Sequence, residues 1–312
     1  MQGVPFLGKA AGEKRSYIYG ARDRADDMFE TSRAVHDGRY IYIRHFMPHL
    51  PYLQGGRIFG NQKESLAELR RARDAGDLDD LTGQIFVPRK PIEEFYDLAS
   101  DPYEIDNVVG DPQYAQRIDE MRSELKRWIL EHRDTGFLTE SEYTRRARKA
   151  GISIYEMVRD SKLYDLPSVL ASAWSGKGRE SEDVGVIYWE IVRGDADIEQ
   201  LRADLKHPNP SVAEAAAERI CLAGDPVAGL PILETHIASR DLRLALEAAR
   251  ALFSIGELAG PSVAKIEEVR KNLEGEPGGR RRYRDFNYAS FTGWALEGVL
   301  INCGAAETSD FE

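Results

Sequence analysis

The chain has 312 residues and a mass of 35.1 kDa, enough for two domains that each bury a core. Its formal charge of −11 and pI near 5.2 argue against nucleic acid as a principal partner, because phosphate binding relies on a net or strongly localised basic surface. No run of residues reaches the apolar length of a membrane span, and the start, MQGVPFLGKAAGEKRSY, shows no basic segment leading into the apolar core of a secretory signal.

In chain order, Tyr17–Ile18–Tyr19 reads as a short strand running into a charged loop, Arg22-Asp23-Arg24-Ala25-Asp26-Asp27. In TSRAVHDGRYIYIRHF, Asp37-Gly38 separates two apolar-alternating runs and predicts a hairpin whose two central residues take positive φ. The second run has Tyr40, Tyr42 and Phe46 on one face and Ile41 and Ile43 on the other, which predicts a strand covered on both sides. Leu66, Leu69 and Ala72 mark a short helix in ESLAELRRARDAG. Phe95, Tyr96 and Leu98 form a further strand, Asp101-Pro102 turns the chain, and Asp111 with Pro112 opens a helix. Tyr114, Ile118, Met121, Leu125, Trp128 and Ile129 recur at helical spacing, so the first part reads as an antiparallel sheet with a helix laid across it and Trp128 in the core.

Beyond residue 140 the pattern is all-helical. SVAEAAAERICLAG (211 to 224) aligns with RLALEAARALFSIG (243 to 256) at an offset of 32, pairing Val212 with Leu244, Ala216-Ala217 with Ala248-Ala249 and Ile220 with Leu252. Weaker copies lie at 186 to 194 and 293 to 304. Such a period is that of stacked helix pairs, and the tail resembles HEAT-type repeats. The predicted fold class is therefore α+β, with 1–139 a sheet-and-helix domain, 140–180 a helical connection and 181–312 a HEAT-like helical repeat domain.

Few residues gather into a catalytic pattern. His45 and His49 are spaced i,i+4, but the intervening Pro48 opposes a metal-binding helix. Cys221 and Cys303 have no second Cys or His at ligand spacing and read as buried thiols. Asp26 and Asp27 are too few for calcium, which takes six to eight oxygens. Arg22, Asp23 and Arg24 read either as a surface ion-pair cluster or as an anion-recognising rim in which a guanidinium fork meets sulfate or carboxylate. The runs Arg145-Arg146-x-Arg148-Lys149 and Arg280-Arg281-Arg282-x-Arg284 read as solvated basic faces or as phosphate and sulfate contacts.

Two blocks, YIYGARDRADDMFETSRAVHDGRYIYIRHFMPHLPY and PIEEFYDLASDPYEIDNVVGDPQYAQRIDEMRSELKRWILEHRD, resemble the carboxy-terminal region of the sulfatase family, above all its bacterial arylsulfatase and heparan N-sulfatase-like members. Phe95-Tyr96-Asp97-Leu98 and Asp101-Pro102-Tyr103-Glu104-Ile105-Asp106-Asn107-Val108 match that family's LYDL and DPxExxNL phrases. The resemblance implies hydrolysis of sulfate esters or sulfamates on carbohydrate, by a formylglycine made within a C/S-x-P/A-x-R motif and a calcium ion. The chain contains no such motif, so no catalytic residue, metal ligand or cofactor is assigned to it, and that machinery would lie upstream of Met1. The family's small domain borders its cleft, which makes Arg22, Asp23, Arg24, His45 and His49 the expected substrate-rim residues. An intact sulfatase is expected to be exported, periplasmic or extracellular. The alternative is a non-catalytic module whose helical repeats bind a protein partner.

Overall fold

The computed structural model describes residues 15–54, 63–194, 197–274 and 283–307, together with positions 5, 7–9 and 12. Arg280, Arg281 and Arg282 of the second basic run lie outside the described residues. In chain order come β1 (Ile18–Arg22), β2 (Ser32–His36), β3 (Tyr40–His45), α1 (Glu64–Ala75), α2 (Asp80–Gly83), β4 (Glu93–Asp97) and α3 (Ala115–His132). They are followed by α4 (Glu140–Ala150), α5 (Ile154–Met157), α6 (Leu166–Ser175), α7 (Val184–Arg193), α8 (Ile198–Asp204) and α9 (Pro210–Leu222). The last are α10 (Pro226–Ile237), α11 (Leu242–Ser254), α12 (Val263–Glu274) and α13 (Tyr283–Asn302). The chain divides into two units: Met1–Arg22, Ser32–His45 and Pro91–His132 form the first, and Asp23–Thr31, Phe46–Lys90 and Arg133–Glu312 the second.

In the first unit the four strands pair antiparallel in the order β1-β2-β3-β4. The hairpin between β2 and β3 forms, but only Gly38 takes a positive φ, of 103°. The tight pair is Gly38–Arg39, closed by the Asp37 N–H on the Tyr40 carbonyl at 3.1 Å, while the Asp37 carboxylate accepts from the Arg39 and Tyr40 amides at 2.8 and 2.7 Å. Asp37 is thus the anchor of the turn, one residue before its centre.

Helix α3 packs on β2 and β3; its Ile118, Met121, Leu125 and Ile129 are buried, as are Val35 of β2 and Tyr42 of β3. Trp128 is not among them: it is half-buried and lies flat on Tyr19, ring centroids 4.8 Å apart. Its position is one step off the buried i, i+3, i+4 stripe, toward the edge strand β1. Ile41 and Ile43 on the far face of β3 are also half-buried, so that face is less covered than the one under α3. Asp111 caps a single 3₁₀ turn, Pro112–Tyr114, by accepting from the Gln113 amide at 2.9 Å, and α3 begins only after it.

Among the described residues the second unit has helices and one isolated bridge, Ala25 with Met28, and its helix starts are written in the sequence. Thr139, Ser153, Asp165, Asp183, Asn209 and Asp241 each place a side-chain oxygen on a first-turn amide of the helix that follows. Helices α9 and α11, the two similar segments, share a core of Ala217, Cys221, Leu246, Ala248, Ala249 and Leu252. Close approach requires small residues there: a Cβ added to Gly229 of α10 would sit 2.5 Å from both the Ala217 carbonyl oxygen and Cys221 Sγ of α9. Cys221 is buried and Cys303 half-buried; both are free thiols.

Candidate functional site

A cavity of about 200 Å³ lies within the second unit. Its walls come from the loops at 23–31 and 47–54, the segment 135–143 at the start of α4, and helices α7, α9 and α11. Asp23 is exposed, whereas Glu214, Glu247 and Arg250 are buried. The acids reach the cavity because helical geometry stacks i,i+4 and i,i+3 positions on one face: Glu214 and Glu218 on α9, Glu247 and Arg250 on α11. At the repeat offset of 32, Glu218 and Arg250 occupy equivalent positions, opposite in charge.

Each carboxyl is held by a short network. Ser141 donates to Glu247 from its amide at 2.9 Å and its hydroxyl at 2.5 Å. Ser254 donates to Glu218, and Glu214 lies 2.9 Å from Nδ1 of His236. Burial pushes the Glu214 and Glu247 carboxyls well above the usual carboxylate range and raises Glu218, in each case chiefly because the charged form is desolvated. Burial also lowers His236, whose Nδ1 faces Glu214 in that contact. Tyr188 is raised by burial and by the neighbouring Glu218, Glu247 and Glu214, which places its phenol among those acids.

The two arginines in the wall have partners. Arg24 donates to Glu140 at 3.0 Å and to the Asp26 carbonyl at 2.7 Å, with its guanidinium over the Tyr288 and Phe291 rings. Tyr288 donates to the other Glu140 oxygen at 2.7 Å. Arg250 donates to Gln54 at 2.9 Å, stands 4.0 Å from Asp27 and is lowered to about 10 by burial. Burial lowers His49 to about 3, helped by surrounding arginines and Lys90, so its ring is neutral at pH 7.

Of the five expected rim residues, Asp23, Arg24 and His49 come together in this cavity. Arg22 ends β1, exposed, and its carbonyl accepts from Arg33 at 3.2 Å. His45 is buried in the first unit, its Nε2 2.8 Å from Glu94. Neither lines the cavity. The basic run of α4 is partly internal: Arg146 binds Glu142 at 2.6 Å, Asp183 at 3.2 Å and the Leu163 carbonyl at 2.7 Å. Sequence reasoning missed Glu214, Glu218, Glu247 and Arg250, although charges embedded in Ala-rich runs at 3–4 spacing were the available signal. Among the described residues, no group of three or more His, Cys, Asp or Glu side chains is arranged to hold a metal ion.

No family model matches the chain. A stretch of 146 residues, 46% of the chain, is 39% identical to an ulvan-active sulfatase of Formosa agariphila. The chain carries a sulfatase-like region. Its match spans 24% of that relative's length, about a quarter of the whole enzyme. The structure shows what the segment at 101 to 108 does. The Asp101 carboxylate accepts from the Ile105 and Asp106 amides at 2.8 and 2.9 Å, folding the loop. Asn107 then accepts from the Phe95 amide and donates to the Glu93 carbonyl, both at 3.0 Å, and the Val108 amide donates to the Phe95 carbonyl at 3.0 Å. The motif satisfies the backbone along β4 rather than presenting a reactive group.

Proposed function

We propose that the chain is the carboxy-terminal part of a sulfatase-like hydrolase that cleaves sulfate esters or sulfamates on carbohydrate, exported in its intact form. The nucleophile and metal ion are supplied by residues outside these 312. The observation that carries this reading is the 39% identity to the ulvan-active sulfatase over 146 residues. The cavity supports it chemically: carboxyls and hydroxyls at its wall are the groups that meet a hydroxyl-rich ligand, and Phe29 and Trp189 supply apolar surface for a sugar ring. Asp23, Arg24 and His49 are the rim residues this reading keeps at the cavity; Arg24 acts as a clamp on the loop through Glu140. The test is inorganic sulfate release from ulvan and other sulfated polysaccharides, measured by ion chromatography with the full product of the gene and with the 312-residue chain. The full product releases sulfate and the chain alone does not. Release from none of the substrates by the full product overturns the proposal.

A further inference from the structure

The cavity of the helical unit has a selectivity written into its hydrogen-bonding groups. Its two guanidiniums are engaged, Arg24 by Glu140 and Arg250 by Gln54 and the nearby Asp27. Facing them are three carboxyl groups, Glu214 and Glu247 buried and Glu218 half-buried, hydrogen-bonded by Ser254 for Glu218, His236 for Glu214 and Ser141 for Glu247. A sulfate or uronate entering this space would find both guanidiniums already paired through carboxylate or amide oxygens, and would bear the cost of desolvating its own charge. A hydroxyl meets acceptors and donors on several sides, and can replace water at each of them. The wall also holds two buried nitrogen atoms with no hydrogen-bond partner among the described residues, Nδ1 of His49 and Nε of Arg250. A void of about 200 Å³ accommodates one six-membered ring, since a cavity of roughly 150 Å³ already holds benzene.

We infer that this cavity binds a single uncharged pyranose unit, with the carboxyls of Glu214, Glu218 and Glu247 and the phenol of Tyr188 meeting its hydroxyls. The choice of a sugar among polyhydroxylated ligands rests on the sulfatase-like reading above. On that reading the cavity holds an unsulfated unit of the carbohydrate, leaving the sulfated unit to the catalytic residues elsewhere in the protein.

The experiment is isothermal titration of the 312-residue chain with methyl pyranosides of glucose, galactose, mannose, xylose and rhamnose, with glucose 6-sulfate and with putrescine. Saturable binding of at least one methyl pyranoside is expected, with glucose 6-sulfate at least tenfold weaker. Tyr188→Phe, which removes one oxygen from the wall, and Glu218→Gln should each weaken the sugar at least tenfold while circular dichroism shows them folded. Binding of no neutral pyranoside, binding of glucose 6-sulfate as tight as the best of them, or binding of putrescine alone would overturn the inference, as would folded variants that bind like the parent. Sulfate release by the full gene product is a separate readout. Loss of sugar binding with hydrolysis retained refutes the cavity assignment alone, and the reverse refutes the hydrolase reading.

Discussion

Glu93 shows how one residue ties the sheet to its helix. Its carboxylate accepts from Tyr42 at 2.6 Å, from Arg44 at 2.6 Å and from both Arg122 nitrogens at 3.0 and 2.5 Å. Burial alone would raise this group, but the bonds from Arg122 and Tyr42 and the charge of Arg44 bring it down to about 2 from 4.5. A depressed carboxyl contributes stability above the unfolded value that is lost as pH falls through the folded one, so the first unit should destabilise between about pH 4.5 and 2. Glu93→Gln should flatten that limb in thermal melts taken across the range. In the cavity the sign is opposite. Glu218 is raised, so the stability linked to it is present below 4.5 and declines as pH climbs through its folded value. Glu218→Gln should therefore raise the melting temperature more at pH 8 than at pH 5; an equal change at both would contradict the upward shift that desolvation gives this carboxyl. Trp128, half-buried on Tyr19, should cost about 1–2 kcal/mol when truncated to Ala, below the ~3–5 kcal/mol of a core tryptophan, as chemical denaturation would show.

At the scale of elements, the features legible in the sequence were those set by neighbours along the chain. The cap at Asp111, the helix face of Ile118 to Ile129 and the turn around Asp37-Gly38 depend on local spacing, and each formed. The turn centre moved by one residue because a two-residue loop of Gly38–Arg39 needs a single positive φ, which glycine supplies. The Ala-rich segments at 211 to 224 and 243 to 256 were legible as paired helices through their small residues, yet the charges riding on them were not legible as a site. Whether Glu214 or Glu247 faces solvent or a cavity depends on α7, α4 and the loop at 47–54 arriving beside them, which no local pattern encodes. Two substitutions separate these levels. Asn107→Ala removes the bonds to Phe95 and Glu93 and should cost about 1 kcal/mol, with faster hydrogen exchange at the Phe95 amide. Gly229→Ala forces a Cβ against the Ala217 carbonyl and Cys221 and should cost about 1–3 kcal/mol in thermal unfolding; a neutral result would mean α9 and α10 do not pack as closely as described.

For the molecule as a whole, a net charge of −11 is spread over helix-capping aspartates and buried acids as well as surface, which is why it signals neither nucleic acid binding nor an acidic tail. The phrases at 95 to 98 and 101 to 108 were legible in the sequence because their job is local, holding the backbone beside β4. The central claim, that these residues are a working part of a sulfate-cleaving protein, is tested most directly by measuring sulfate release with the full gene product before and after deletion of these 312 residues. The account predicts measurable release from sulfated polysaccharide by the full product and loss of at least a hundredfold on deletion. Unchanged release after the deletion, or none from the full product, would contradict it.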